Sequence, residues 1–319
     1  MSTTTSRSST TEDAHVERIA FAEEDKLGPL GVRASALHDP LELRARLLGE
    51  FESAVAAAKA AAAKVEHGST GAVHGARKAL RRARAALSMM SDALPKSERR
   101  AVRAALQDAR RSLSTVRDHA VAPETLGDEE RETAKRVLDN AAEAIPALAE
   151  IRQLLGEAAT RAAAQAEALA AALPAEVGWD VVAGGIAEVY GEARRARRLS
   201  KRSRAWFHTW RRRSKELVYQ LDVIAAHAGA RTLAIRAELD AITDQLGPAV
   251  DLVMLCDFVQ THAQGLPAKD VERLRDELDR QLEEQMKEAR KAGRDAFRQK
   301  PKKFLRRLAK AVKRDLTVE

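Results

Sequence analysis

Between Val73 and Leu87 the chain reads VHGARKALRRARAAL: one histidine, four arginines and one lysine, with no acid before Asp92. Wound at about 100° per residue, His74, Arg77, Lys78, Arg81 and Arg84 share one helix face, and Ala76, Leu80, Ala83, Leu87 and Met90 share the other. The second group is an ordinary core stripe. The first could be a solvated face, but a solvated helix normally interleaves both signs at i, i+4 spacing. Guanidinium, ammonium and imidazolium groups at this density suit one kind of chemistry, neutralising a polyanion through charge-assisted hydrogen bonds.

The pattern returns far along the chain. FHTWRRRSKELVYQLDVI puts His208, Arg211, Arg212, Lys215 and Tyr219 on one face, with Trp206, Trp210, Leu217 and Leu221 opposite. His-x-x-Arg thus occurs in both stretches, at His74 and His208, an offset of 134 residues. At nearly that offset LQDARRSLSTVRDHAV aligns with LDAITDQLGPAVDLVM, pairing Leu106 with Leu239, Leu113 with Leu246 and Asp118 with Asp251. An internal repeat of about 130 residues follows, whose two halves would bring both basic faces to one shared groove or pore. A third basic stretch, VYGEARRARRLSKRSR, adds Tyr190, Arg194, Arg197, Arg198, Lys201 and Arg204. Shifted back by the offset, Arg198 and Lys201 fall on Lys64 and His67, a weaker version, so the site should lean toward the second half. Both tyrosines are expected to face the basic side, as hydroxyl donors or as packing rings.

These residues resemble the CHAD domain, the conserved histidine α-helical domain, whose opening signature runs roughly V-H-x-x-R-V-x-x-R-R-x-R. Val73, His74, Arg77, Arg81, Arg82 and Arg84 match it, while Lys78 stands where the family has an apolar residue. Arg117, Asp118 and Val121 are similar to its R-D-L-D-V, with His119 and Ala120 replacing the middle pair. His208, Arg211, Lys215 and Tyr219 resemble the second-half signature, and LGPAVDL its L-G-x-x-x-D-L. The resemblance spans about residues 40 to 300. It implies two pseudo-symmetric helical bundles around a basic pore, with inorganic polyphosphate as ligand.

Simple physics agrees with that ligand. Polyphosphate is flexible, charged at every repeat and without a base to read, so forked and point cations along a track suffice to hold it. The candidate binding residues are His74, Arg77, Lys78, Arg81, Arg82, Arg84, Arg194, Arg197, Arg198, Lys201, His208, Arg211, Arg212, Lys215 and Tyr219. Nucleic acid is the main competitor, since a basic groove alone does not tell polyanions apart. Against it, Trp206 and Trp210 fall on the apolar face, leaving only tyrosines for base stacking. A purely structural helical scaffold is the third reading.

Enzymatic readings find little support in the sequence. The two histidines lie in no H-x-x-x-H or H-E-x-x-H and have no carboxylate at helical spacing, so neither metal binding nor catalysis is expected. Asp118 and Asp251 are better read as salt-bridge anchors between helices than as magnesium ligands. The triphosphate-cleaving tunnel domain often fused to CHAD domains carries E-x-E-x-K on a strand; EEDK at Glu23 to Lys26 does not fit it. VAGGIAEVYG lacks dinucleotide-loop spacing and a preceding strand. No cofactor is expected.

The elements that must position these faces are all helical. Of 319 residues, 45% are apolar and only 3% aromatic, with alanine abundant, a balance that suits closely packed helices. Lys and Arg outnumber Asp and Glu by 55 to 47, a net +8. The single cysteine, Cys256, excludes an internal disulfide. No run is long or apolar enough for a signal peptide or a membrane span, so a cytoplasmic protein is expected, in contact with polyphosphate granules if the resemblance holds. Apolar periodicity and proline punctuation predict helices over 41–66, 73–92, 96–119, 128–145, 147–172, 177–204, 206–227, 231–246, 249–264, 268–298 and 301–315. Residues 1–35 are expected to be a disordered tail, 36–173 the first helical half and 174–319 the second. In the last helix Phe304, Leu305, Leu308 and Val312 form an apolar stripe that should cap the bundle.

Overall fold

Proline and polar caps set most helix starts. Pro40, Pro248 and Pro301 occupy first-turn positions, where a missing N–H is harmless, and Asp39 accepts hydrogen bonds from the Leu41 and Glu42 amides. The computed structural model describes residues 39–64, 69–126, 131–142, 145–225 and 229–316, so the expected N-terminal tail and His67 lie outside it. Among the described residues it is all helical, with no strand. Six helices come first: α1 (Pro40–Ala63), α2 (Ser69–Met89), α3 (Lys96–Arg111), α4 (Ser114–Leu126), α5 (Arg131–Ala142) and α6 (Leu148–Ala172). Six follow: α7 (Trp179–Leu199), α8 (Arg204–Ala225), α9 (Ala230–Gln245), α10 (Gly247–His262), α11 (Ala268–Ala296) and α12 (Pro301–Leu316).

One expected helix, 96–119, is two. At Ser112 the hydroxyl bonds back to the Ala109 carbonyl, and the Leu113 amide tightens onto Arg110 instead of continuing the α-helical ladder. Leu113 is fully buried at that corner, and so is Leu246 at the corner between α9 and α10. Burial of a leucine at each bend fixes the direction in which α4 and α10 leave.

Packing follows a common order in the two sets of six. α1 lies on α2 and α6, α3 on α2 and α6, and α4 on α2 and α5; α7 lies on α8 and α12, α9 on α8 and α12, and α10 on α8 and α11. The sets meet where α2 packs on α8 and α7, and α4 on α10. Ala76, Leu80, Ala83 and Leu87 of α2 are buried, with Met90 just past its end, as are Phe207, Trp210, Leu217 and Leu221 of α8. These stripes leave the basic faces of α2 and α8 turned away from the core. At the far end Phe304, Leu308 and Val312 of α12 are buried and Leu305 packs at the edge, while the Asp315 carboxylate accepts from the Arg231 and Thr232 amides at the start of α9. The last helix is therefore closed onto the second set by its apolar stripe and by a side chain that satisfies helix-start donors.

Small residues permit the tightest approach. A Cβ on Gly185 of α7 would overlap the Ser88 carbonyl and the Met89 Cα of α2, and one on Gly293 of α11 would overlap the Trp210 ring. Gly49, inside α1, has open space around the same point. Gly185→Ala is therefore expected to lower stability by about 1–3 kcal/mol through overpacking, whereas Gly49→Ala should raise it by about 0.5–1 kcal/mol by removing backbone freedom from the unfolded chain. Chemical denaturation of the two variants reads the opposite signs.

Candidate functional site

The basic faces of α2 and α8 line one cavity of about 550 Å³, to which α3, α4 and α10 add further walls. Its charged lining is Arg77, Arg81 and Arg84 from α2, Arg110 from α3, Arg117 from α4, and Arg211, Arg212 and Lys215 from α8, with only Glu216 and Asp251 as acids. His74, His208 and Tyr219 complete the polar lining. Nine of the expected binding residues are thus brought together. Six are not: Lys78, Arg82, Arg194, Arg197, Arg198 and Lys201 lie outside the cavity. Lys78 is solvent-exposed, and Arg82, on the outer flank of α2, reaches Glu50 of α1. The basic row of α7 points elsewhere, with Arg197 donating to the Arg290 carbonyl of α11.

Burial and mutual repulsion leave their mark on these cations. Desolvation, then Arg110 and Arg81, bring Arg77 down to about 10; desolvation, then Arg84 and Arg213, do the same to Arg212. Both stay protonated at neutral pH. Arg81, Arg110 and Arg211 are lowered as well, with burial the largest cause in each. Among the described residues Arg81, Arg110, Arg211 and Arg212 have no carboxylate at ion-pair distance, and the Arg211 Nε is buried without an acceptor. His74 is held below the usual imidazole range by burial, then by Arg81, Lys78, Arg117 and Arg77; His208 is lowered by burial, then by Arg212, Arg211, Arg110 and Arg117.

Other members of the lining are held by the protein itself. Arg77 was expected on a hydrated face, yet it is only 7% exposed and donates to the Arg110 carbonyl at 3.1 Å, in the last turn of α3. Lys215 binds Asp240 at 2.9 Å and the Thr243 hydroxyl at 3.1 Å, both on α9. Arg117 binds its neighbour Asp118 at 3.0 Å and Asp251 at 2.6 Å, so Asp251 ties α10 to α4 as an inter-helix anchor. Tyr190 departs furthest from expectation. It is fully buried, stacked on Phe304 with centroids 4.0 Å apart, and its hydroxyl donates to the Ala296 carbonyl, so it belongs to the core.

Arg110, Arg117 and Glu216 were not singled out from the sequence as site residues. Arg110 ends α3, where no helical stripe points to it; Arg117 stood out only as part of a motif. Glu216, 5% exposed, accepts from Arg84 at 2.7 Å and from Arg213 at 2.8 Å, and Arg213 also reaches Glu192. Desolvation pushes the Glu216 carboxyl up, but the two arginines outweigh it and hold the group below the usual carboxylate value. The signal was one acid inside RRRSKE. Among the described residues no three His, Cys, Asp or Glu side chains converge as a metal site requires.

A family model for the CHAD domain matches residues 49–260, from α1 into α10. The chain belongs to the CHAD family. Among solved structures it is similar to the crystal structure of the CHAD domain from the plant Ricinus communis, at 20% identity and a TM-score of 0.56, with 82% of this chain and 93% of that chain covered. At that identity the likeness is one of fold. No curated protein matches the chain. Among the described residues no helix of this CHAD protein is long and apolar enough to cross a membrane.

The buried ion cluster gives a stability test. Arg213→Met leaves Glu216 with Arg84 alone in a dry setting, and should cost about 3–5 kcal/mol. Adding Glu216→Leu and Arg84→Met should recover most of that loss, because all three members of the buried ion cluster are then apolar and none is left without a counter-charge. Denaturant unfolding of the single and triple variants reads the difference.

Proposed function

We propose that this CHAD protein binds inorganic polyphosphate in the cavity between α2 and α8, and that it does so without catalysis. The observation that carries the reading is the lining itself: seven arginines, one lysine and two histidines against two carboxylates, with four of the arginines lacking a carboxylate at ion-pair distance among the described residues. Membership of the CHAD family supports the same ligand. The shared packing order of the two helix sets supports reading the chain as two related halves that each contribute one His-x-x-Arg helix. Nucleic acid is disfavoured by the rings on offer. Tyr219 is largely buried, Trp210 is sealed in the core, and Trp206 lies beneath the Arg195 guanidinium, 5.7 Å from its ring centre. The reading places the protein in the cytoplasm at polyphosphate granules.

Many phosphate contacts displace many counterions. Affinity for long-chain polyphosphate should therefore fall by about a hundredfold or more between about 50 and 200 mM salt. Arg81→Gln and Arg211→Gln, chosen because neither residue ties helices together, should each weaken binding and reduce the log–log salt slope by about one. Titrations over a salt series test this, with single-stranded DNA as competitor; a flat response, or DNA outcompeting polyphosphate, would remove the reading.

The histidines set the pH dependence. In the free protein both are lowered by burial and neighbouring cations; a bound phosphate raises them, so binding takes up protons. Affinity is then greatest below the free-state values and is lost as pH rises through the bound-state values. Replacing His74 and His208 together by Gln should flatten the affinity profile between about pH 5.5 and 8 and abolish the proton uptake seen by calorimetry in buffers of different ionisation heat.

A further inference from the structure

One stretch outside the cavity accounts for the positive balance of the whole chain. From Lys287 to Arg314 there are thirteen lysines and arginines and two acids, a net +11 in a protein whose total is +8. The stretch lies beyond residues 49–260, the part that matches the CHAD family model. The start of α11 shows an ordinary solvated face, with both signs interleaved and Arg273 on Asp270 and Arg280 on Glu277, one turn apart. Beyond Glu288 that interleaving stops, and Asp295 is the one acid before Asp315. Wound at about 100° per residue, the seven cations of α12 fall on one arc about 140° wide, opposite the buried Phe304, Leu308, Ala311 and Val312. Arg307 is tied to Glu238 of α9. Lys302, Lys303, Arg306 and Lys310 are exposed and have no carboxylate at ion-pair distance among the described residues.

The basic row of α7, which does not reach the cavity, joins this face. α12 packs on α7, and Tyr190 of α7 donates to the Ala296 and Gln299 carbonyls, at the end of α11 and just before α12. Its ring stacks on Phe297 and Phe304. Arg194 of α7 and Arg307 of α12 both bear on the Tyr190 hydroxyl, and Arg197 of α7 is repelled by Arg294 of α11. The Nε groups of Arg194 and Arg197 are buried without an acceptor. Cations from three helices therefore converge around one aromatic stack, with Asp295 and Glu238 as the acids beside them.

We propose that this face, α12 with the adjoining ends of α7 and α11, is a second track for inorganic polyphosphate, holding a stretch of chain outside the α2–α8 cavity. The inference rests on the polyphosphate reading above for its ligand, and on other residues for its site. A single-sign surface of this density suits a partner charged at every repeat. Single-stranded nucleic acid finds no ring to stack on, because Tyr190, Phe297 and Phe304 are all buried. A stiff duplex meets cations spread over three helices and across the break at residues 297–300, a course that a flexible chain follows more readily. An anionic lipid surface finds nothing to anchor in it, because the apolar stripe of α12 is buried in the core. A long polyphosphate held in the cavity is present at high effective concentration near this face, so two modest sites act together as a stronger one.

The test separates the face from the cavity. Lys302→Gln, Lys303→Gln, Arg306→Gln and Lys310→Gln are combined in the full chain. Long-chain polyphosphate and a short oligophosphate are then titrated over a salt series, beside the unsubstituted protein and an Arg81→Gln/Arg211→Gln cavity variant. Affinity of the fourfold variant for the long chain should drop at least about tenfold at low salt, and its log–log salt slope should flatten by about one for each contacting cation removed. The short compound, which the cavity can hold, should lose no more than about threefold, whereas the cavity variant should weaken both lengths. Unchanged long-chain affinity in the fourfold variant overturns the second track and leaves the cavity reading standing; an equal loss at both lengths marks a general field effect and overturns it too. Full binding by both variants overturns both readings. A fourfold variant that keeps polyphosphate but loses duplex DNA or anionic vesicles assigns the face to that partner and overturns the proposal. Amine acylation puts the same question to the unsubstituted protein: saturating long-chain polyphosphate should shield Lys302, Lys303 and Lys310. Equal labelling with and without polyphosphate overturns the track, even where the fourfold variant fails to fold.

Discussion

Repulsion among arginines is the constraint under which this structure is built. Two like charges about 4 Å apart cost several kcal/mol at the effective dielectric of a protein surface, and the α2–α8 cavity collects seven arginines and a lysine. Apolar burial behind each helix opposes this. The stripes from Ala76 to Met90 and from Phe207 to Leu221 fix both helices from the core side, so the cationic faces cannot turn away from each other. Counter-charge opposes it at chosen points only. Glu216 serves Arg84 and Arg213, Asp251 serves Arg117, Asp240 serves Lys215, and the Arg110 carbonyl serves Arg77. Each compensated cation is also a tie between helices, while Arg81, Arg110, Arg211 and Arg212 have no carboxylate partner among the described residues. The fold thus divides its cations into a set that holds the walls and a set available to a ligand.

That division explains what could be read from the sequence. Periodicity places the α2 and α8 faces correctly, because a core stripe fixes the rotation of a helix and so fixes the opposite side. Eleven expected helices became twelve at Ser112, a break made by local back-bonding that no apolar period records. Periodicity does not say which neighbour a polar face meets. The basic row of α7 has the same spacing as that of α8, yet Arg197 faces α11 and Tyr190 is buried under α12. Both outcomes depend on helices more than 90 residues away along the chain. Arg110 was invisible for a related reason: it enters the site from a helix end, where position is set by the α3–α4 corner and not by a repeating face.

Storing charge in the free protein shapes how it responds to a ligand. The lowered arginine and histidine values around the cavity reflect burial and mutual repulsion, which the proposed anion would relieve. Since a ligand that binds only the folded state stabilises it by mass action, the arriving polyanion should tighten the same helices whose repulsion it cancels. The ties at Glu216, Asp251 and Asp240 hold the walls in place, so on the proposed reading the guanidinium groups without a carboxylate among the described residues would need little rearrangement to meet phosphate. On the proposed reading, stability and recognition therefore draw on different residues of the same two helices, and for that reason each can be altered while the other is measured.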